Sequence, residues 1–442
     1  MPQPTLTLTP RKSALLAGHD NRLDLLVRVQ GPELPPGMVC ERPPLTVALV
    51  LDRSGSMSGP PLEEAARCAR FVLDGLRPTD RAALLTYDDR VDLLVPPSSL
   101  DRRSEFDRAL RGLSSGGATD LHGGWRCAAD ALGAEASAET LSRVILLSDG
   151  CANRGIVEPQ AIAAECRELV ESGVTTSTYG LGDRFNEDLM VEMARAGQGN
   201  SYYGETAEDL MDPFREELEL LNALFARGLE LEVEPAEGVR VDLLNDYATL
   251  GSGRWRLPDL AYASEAWAML RVHVPRALAD AGLDREPSSL VGVRLRYRDL
   301  GGMHLSTEAA RLGLPSVPVE AFSSIAEDPA VQRRVSELEA ARLQLSARRA
   351  ALEGDWGSVE AILSEIQRLG VDNVWIRNVE RELKLLARRR DRSQFSKEAR
   401  YAALKMRNRL ASLEDSAEDL ELDGPAFLRR KPAQGKRPEA RR

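Results

Sequence analysis

An α/β fold, with a doubly wound and mostly parallel sheet of Rossmann-like form, is what the first half of this 442-residue sequence predicts. Two observations lead to it. Short runs made almost wholly of apolar residues recur at 45–51 (LTVALVL) and in RVILLSDG, which ends on Asp149 and Gly150. Strands that read this way are buried on both faces, as parallel strands are. Each run is followed by a polar turn containing glycine and then by a helical pattern, the order of a right-handed strand–helix crossover. A third observation limits this region: after residue 226 the apolar period falls to two, and after residue 323 it becomes helical. Those changes predict a β-sandwich-like second domain and a C-terminal helical region.

In chain order, residues 4–30 alternate apolar and polar around a turn at 18–21, and RLDLLVRVQG is a strand of period two. The stretch 31–44 is rich in proline and reads as a linker. A strand at 45–51 leads to a helix at 60–76, whose start carries Pro60 and Pro61. Proline suits a first helical turn because its missing N–H would have no partner there. Strands at 82–87 and 91–95 flank the polar turn 88–90 as a hairpin, and short helices follow at 103–111 and 122–132. A strand at 144–147, a helix at 158–171, a strand at 174–179 and helices at 186–195 and 207–224 complete the α/β unit. Beyond it, LELEVEPAEGVRVDLL, WAMLRVHVP and LVGVRLRYRDL alternate on period two, with Gly, Pro and Asp between them. The strands at 4–30 do not fit a complete parallel sheet, so they are expected to pair into this β domain, with the α/β domain inserted in it. Val331, Leu338, Leu345 and Leu352 recur every seven residues and predict a long amphipathic helix. Arg342 and Arg349, at the companion position, spoil a continuous coiled-coil seam. GDW at 354–356 ends that helix, and others are expected at 358–369, 373–389 and 396–412.

The predicted partition is therefore an N-terminal β segment at 1–43, the α/β domain at 44–225, the β-sandwich-like domain at 226–322, a helical bundle at 323–413 and a charged, unstructured tail at 414–442. The tail passes from acidic (EDSAEDLELD) to basic (RRKPAQGKRPEARR).

Bulk composition narrows the function classes. Hydrophobic residues at 43% and charged residues at 29% describe a globular protein. A net charge of −11 argues against nucleic acid as a partner. The start MPQPTLTLTPRKSALL shows no apolar core of a secretory signal, and no apolar run approaches the roughly 18 residues of a membrane span. Cys40, Cys68, Cys127, Cys151 and Cys166 are odd in number and widely spaced, which suits free thiols in a reducing cytoplasm.

Five residues stand out. Asp52, Ser54 and Ser56 lie in LDRSGSMSG directly after the first apolar run, Thr119 lies in SSGGATDL, and Asp149 ends the second run. Ligands of open parallel sheets gather at the carboxyl ends of the strands, so these loops would offer two carboxylates and three hydroxyls to one point. All are hard oxygen donors, suited to Mg²⁺, Mn²⁺ or Ca²⁺ and unsuited to zinc or copper. The competing reading makes Ser56 or Ser58 a helix N-cap, which leaves Thr119 and Asp149 unexplained.

This set resembles the metal-ion-dependent adhesion site of von Willebrand factor A domains, whose motif is Asp-x-Ser-x-Ser, a distant Thr and a distant Asp. LLSDGCANRGI is similar to that family's fourth-strand exit and LRPTDRAALLTYDD to its second strand, and the resemblance covers roughly residues 44–225. The whole-chain layout is similar to bacterial stand-alone members and to the A-domain region of inter-α-trypsin-inhibitor heavy chains and calcium-activated chloride channel regulators. The resemblance implies that Ser54, Ser56 and Thr119 give hydroxyl oxygens to the metal, with Asp52 and Asp149 acting directly or through water. It implies that an Asp or Glu of a protein partner completes the shell. It also implies a loop shift at Thr119, for which Gly116 and Gly117 give freedom. Asp120 reads equally as a further acid of the site or as a helix N-cap. Some bacterial members resemble adaptors of a MoxR-type or chelatase-type AAA ATPase, which makes such a motor, or a stress or phage-conflict system, a second partner class.

Enzyme readings find less support. A Mg²⁺-dependent hydrolase of the haloacid dehalogenase type needs a second Asp where Ser54 stands and a downstream Lys, absent between Asp52 and Asp149. No His-Glu-x-x-His, Gly-x-Ser-x-Gly or Gly-x-x-x-x-Gly-Lys occurs, and His19, His122, His273 and His304 are the only histidines.

Overall fold

All eight residues of the strand Leu45–Asp52 are buried, because neighbours flank it on both sides and helices cover the sheet. The computed structural model describes residues 3–33, 42–134, 136–137, 140–182, 184–204, 211–281 and 289–407. It divides into two compact units: residues 40–222 with 300–302, and residues 1–39, 223–299 and 303–442.

The first unit is the predicted doubly wound α/β domain. Its six-stranded sheet has the order Val91–Ser99, Arg81–Tyr87, Leu45–Asp52, Leu141–Ser148, Val174–Leu181, Gln198–Gly204. Every neighbouring pair is parallel except the edge pair Arg81–Tyr87 with Val91–Ser99, the hairpin that the polar turn foretold. The chain leaves Leu45–Asp52 toward one side of the sheet and later returns to its other side at Leu141–Ser148. That reversal makes the carboxyl ends of these two strands the crevice of the sheet. Helices Pro60–Gly75, Leu121–Gly133, Pro159–Glu171 and Glu187–Ala196 start within two residues of their predicted positions.

The last strand, Gln198–Gly204, was not foreseen. Gln198, Gly199 and Asn200 are poor strand formers, and Gln198 has a positive φ of 52°. Tertiary packing overrides this: Tyr202 stacks on Tyr179 at 4.8 Å, and Tyr179 on Phe214 at 4.0 Å. Buried Glu217 then accepts hydrogen bonds from Ser177, Asn200 and Tyr202. The helix expected at 207–224 is seen as Met211–Asn222; its first predicted residues lie outside the described ones. At the amino end of the sheet, Arg42 and Asp80 form a fully buried pair at 2.6 Å. Burial pushes the Asp80 carboxyl up, but Arg42 and the amides of Leu45 and Arg77 hold it below its usual value.

The second unit contains the β-sandwich. One sheet joins Thr5–Pro10, Asn21–Gln30, Glu265–Val274 and Arg240–Leu243; the other is centred on Leu224–Pro235, between Arg254–Arg256 and Val291–Arg298. Asn21–Gln30 and Glu265–Val274 pair antiparallel from Gln30↔Glu265 to Asn21↔Val274. Leu25, Val27, Ala268 and Leu270 face the core shared with the second sheet. The opposite face, with Leu26, Trp267 and Met269, is covered by Val331 and Leu338 of the helix Pro329–Glu353. That second cover explains why these strands do not alternate cleanly between buried and exposed.

Helices Pro329–Glu353, Trp356–Leu369, Val374–Arg389 and Arg392–Arg407 form the C-terminal helical region. The seven-residue series does not define the buried face as expected. Val331 and Leu338 are buried, but Leu352 is 45% exposed. A straight helix drifts about 20° per heptad away from such a series. Contact passes instead to Ala340, Ala347 and Ala351, which let the helix Arg392–Arg407 approach closely. The helix ends at Gly354, in the left-handed conformation at φ 82°, and Asp355 caps the next one. The charged tail at 414–442 and most of the proline-rich stretch 31–44 lie outside the described residues. Among the described residues no helix is long and apolar enough to cross a membrane.

Candidate metal centre

The central strand ends on Asp52, whose side chain is fully buried at the carboxyl edge of the sheet. Its Oδ1 accepts the backbone N–H of Ser54 at 2.8 Å, and its Oδ2 accepts the Ser148 hydroxyl at 2.7 Å. The Tyr87 hydroxyl lies 3.4 Å from the same Oδ2. Every one of these donors is neutral. Burial is the main reason that the Asp52 carboxyl rises from 3.8 to about 6, and nearby Asp149 adds to the rise.

Past the strand the chain makes a short 3₁₀ turn, Gly55–Met57, before the helix Pro60–Gly75. The Ser54 hydroxyl makes no capping bond, and Gly59 is the N-cap of the helix. Capping therefore does not explain the serines. Ser54 Oγ and Ser56 Oγ are 3.2 Å apart, and Ser56 Oγ donates to Asp149 Oδ1 at 2.7 Å. Burial also raises Asp149 above the usual carboxylate range, opposed by Ser56 and by the charge of Arg184.

Thr119 arrives from the other side of the crevice. It is 4% exposed, and its backbone exchanges hydrogen bonds with Asn153, whose Oδ1 accepts the Thr119 N–H at 2.9 Å. A Cβ placed on Gly150 would stand 3.5 Å from both Ser56 Oγ and Thr119 Oγ1 and 4.0 Å from Ser54 Oγ. The three hydroxyls thus surround one small space beside Gly150. Backbone bonds fix their relative placement: Gly116 N–H to Arg53 O at 2.8 Å, and Asp120 N–H to Asp88 O at 2.8 Å. Gly117 holds a φ of 76°, and a Cβ there would come within 2.5 Å of Asp89 Oδ1. The loop therefore needs glycine at that position to pass so close to the 88–90 turn.

The structure thus brings Asp52, Ser54, Ser56, Thr119 and Asp149 together at one end of the sheet. The donor set fits a hard divalent cation: two carboxylates, one of them buried among neutral partners, and three hydroxyls. Among the described residues no cluster of three or more His, Cys, Asp or Glu side chains could hold a metal, so hydroxyls are needed to complete any shell here. Asp120 resolves to the capping alternative, accepting from Gly123 N–H at 2.9 Å. His122 is held by Glu165 at 3.2 Å and belongs to the helix start. Three contributors escaped the sequence reading: Ser148, Tyr87 and Asn153. Ser148 had a visible mark, a polar residue directly after the apolar run 144–147. Tyr87 and Asn153 had none, since only the sheet register and loop contacts bring them in.

Residues 47–152 match the profile of the von Willebrand factor type A domain. The uncharacterized protein YfbK of Escherichia coli K12 is 28% identical over 196 residues, 44% of this chain and 34% of that protein. Inter-alpha-trypsin inhibitor heavy chain H3 of Mesocricetus auratus is 27% identical over 214 residues, 45% of this chain and 23% of its own length. The matches thus span about a third or less of these relatives. In fold, a von Willebrand factor type A protein from Catenulispora acidiphila superposes with a TM-score of 0.66 at 17% identity, over 86% of this chain and 90% of that one.

Proposed function

On the premise that this chain carries a von Willebrand factor type A domain, we propose that it is a metal-dependent protein-binding module. It captures an Asp or Glu side chain of a partner through a divalent cation held by Asp52, Ser54, Ser56, Thr119 and Asp149. The observation that carries this reading is the buried Asp52 carboxylate, surrounded by neutral donors at the floor of a cup of hydroxyls.

A bound cation, Mg²⁺ in preference to Mn²⁺ or Ca²⁺, supplies a point of positive charge that an incoming carboxylate can ligate. The chain's residues set how much of that charge is left over. Asp52 and Asp149 bring negative charge, while Ser54, Ser56 and Thr119 bring only dipoles, so an anion from outside still gains Coulomb energy. Ser56 is exposed and Asp149 half-buried, which leaves the site open on one side. Ser148 and Tyr87 orient Asp52, and Asn153 positions the Thr119 loop.

The site's side chains are carboxylates and unactivated hydroxyls, with no histidine or lysine among them, so we read the protein as a binder and not as an enzyme. A reducing compartment, the cytoplasm, suits Cys68 and Cys166, buried thiols whose pKa burial pushes up.

The reading is tested by capture from a lysate of the source cells, with wild type and Asp52→Ala side by side, each in Mg²⁺ and in EDTA. The expected result is a protein retained only by wild type in Mg²⁺, and eluted by free carboxylate such as a glutamate-containing peptide. Equal retention in all four arms would overturn metal-bridged binding. A narrower result is expected for Ser148→Ala. Loss of a hydrogen bond to a ligating group weakens metal affinity by about 10- to 100-fold. Calorimetric titration with Mg²⁺ reads this, and an unchanged affinity would remove Ser148 from the site.

A further inference from the structure

The helix Val374–Arg389 carries Arg377, Arg381, Lys384 and Arg388 at spacings of four, three and four residues, which puts them on one face. That face borders a groove of about 550 Å³, shared with Gln367 and Val371 from the preceding helix and its turn. The groove is mixed in character. Val371 is 64% exposed and Leu385 43%, while Asn378 in the lining is only 4% exposed and its Nδ2 has no hydrogen-bond acceptor among the described residues. Lys384 is paired with Glu380, but Arg377 donates to the Val371 carbonyl and Arg381 to the Asn378 side chain, so neither bond neutralises a guanidinium. A ligand matching this surface is acidic, has a few apolar side chains and offers carbonyl acceptors: an acidic peptide segment.

The chain contains such a segment. Residues 413–423, LEDSAEDLELD, carry Glu414, Asp415, Glu418, Asp419, Glu421 and Asp423 interleaved with Leu413, Leu420 and Leu422. The last described residue, Arg407, sits at the right end of the bundle. Its carbonyl accepts from Asn245, which in turn holds Met269 N–H. Asn373, at the start of the basic helix, bonds Glu337, whose partner Arg334 lies over Trp267. Arg407 is thus tied to the strand Glu265–Val274 through Asn245, and Asn373 to the same strand through Glu337 and Arg334 in turn. Six residues, 408–413, lie between Arg407 and the first acidic residue, and a chain of that length reaches at most roughly 20 Å.

We propose that the basic face of the helix Val374–Arg389 is the docking surface for this chain's own acidic segment, residues 413–423. Association is electrostatic, with Asn378 Nδ2 donating to the docked backbone and the leucines covering Val371 and Leu385.

Zero-length carbodiimide cross-linking of the full chain tests this, because it joins an amine to a carboxylate only where the two already touch. Lys384 is the one lysine in the groove, with Lys12, Lys397, Lys405, Lys431 and Lys436 elsewhere as internal references. The expected result, by peptide mapping, is Lys384 joined to a carboxylate of 414–423 within one molecule, as shown by mixing isotope-labelled and unlabelled chains. The yield should fall several-fold in Arg377→Glu/Arg381→Glu. It should fall likewise when ionic strength rises from about 0.1 M to 1 M and the screening length shrinks from about 10 Å to about 3 Å. Both arginines are exposed, and an unchanged melting temperature confirms that the variant folds. Cross-links of the acidic run confined to Lys431 and Lys436 would overturn the proposal, since the tail would then neutralise itself. So would links found only between molecules, or a Lys384 yield indifferent to both arginines.

Discussion

Asp52→Asn is expected to raise the melting temperature of the cation-free protein at pH 7 and to abolish the further rise that Mg²⁺ gives the wild type. The two effects have opposite signs and one cause. In the fold the Asp52 carboxyl titrates at about 6, against 3.8 for an ordinary aspartate, chiefly because it is buried. A group whose folded pKa is raised supports the fold fully only below its unfolded value, and that support is lost as pH rises through the folded one. The window runs from about pH 4 to pH 6. Above it, the ionised group costs about 3 kcal/mol, a shift of about two units at roughly 1.4 kcal/mol each. An asparagine removes the charge and keeps the bonds: its oxygen accepts Ser54 N–H, and Ser148 turns to the Gly150 carbonyl, 3.2 Å away. With Mg²⁺ at about 100 times its Kd, the wild type gains about 2.7 kcal/mol, or roughly 5–10 °C for a domain of this size. Thermal unfolding of both proteins with Mg²⁺ and with EDTA, at pH 5 and pH 7, reads every part of this. A variant that keeps the full Mg²⁺ increment would show that the cation binds without Asp52. One that is destabilised in EDTA at pH 7 would show that the buried charge is compensated by something other than a metal.

Arg334→Met is expected to cost about 3–5 kcal/mol, the range for breaking a buried ion pair from one side. Arg334 is 2% exposed. Its guanidinium lies 4.7 Å over the Trp267 ring and pairs with Glu337 at 3.2 Å and Glu265 at 3.6 Å. Methionine fills much of the volume but leaves two carboxylates that are 1% exposed without this cation. Arg28, at 3.0 Å, still serves Glu265, and Asn373 still serves Glu337. The loss should thus fall mainly on Glu337, and Arg334→Met/Glu337→Leu should recover part of it, as coupled neighbours do. Chemical denaturation monitored by circular dichroism measures both variants. A loss under about 1 kcal/mol for the single variant would mean that the cluster is held by apolar contacts such as Val331 and Leu338 alone.

Much of the site was readable because its parts are tied to strand ends. Asp52 and Asp149 each lie at the end of a strand that is buried along its whole length, and such strands are visible as short, mostly apolar runs. The distant Thr119 was placed by its resemblance to a known motif and not by any local rule. What supports these residues was hidden for a geometric reason. Tyr87 faces Asp52 because the two are register partners in adjacent strands, and Asn153 meets Thr119 across two loops.

The same division runs through the whole chain. By itself the sequence determined the alternation of strands and helices and the change of period after residue 226, since each is a property of neighbours along the chain. Only the tertiary structure decided that Gln198–Gly204 is a strand, because the stacking of Tyr202 on Tyr179 outweighs three unfavourable residues. It alone decided that alanines take over the inner face of the helix Pro329–Glu353 from the seven-residue series after Leu338. Alanines add little to a hydrophobic pattern in sequence, yet they set how closely two helices can approach. It alone left the Asp52 charge buried among neutral partners, because burial depends on what the rest of the chain packs around a residue.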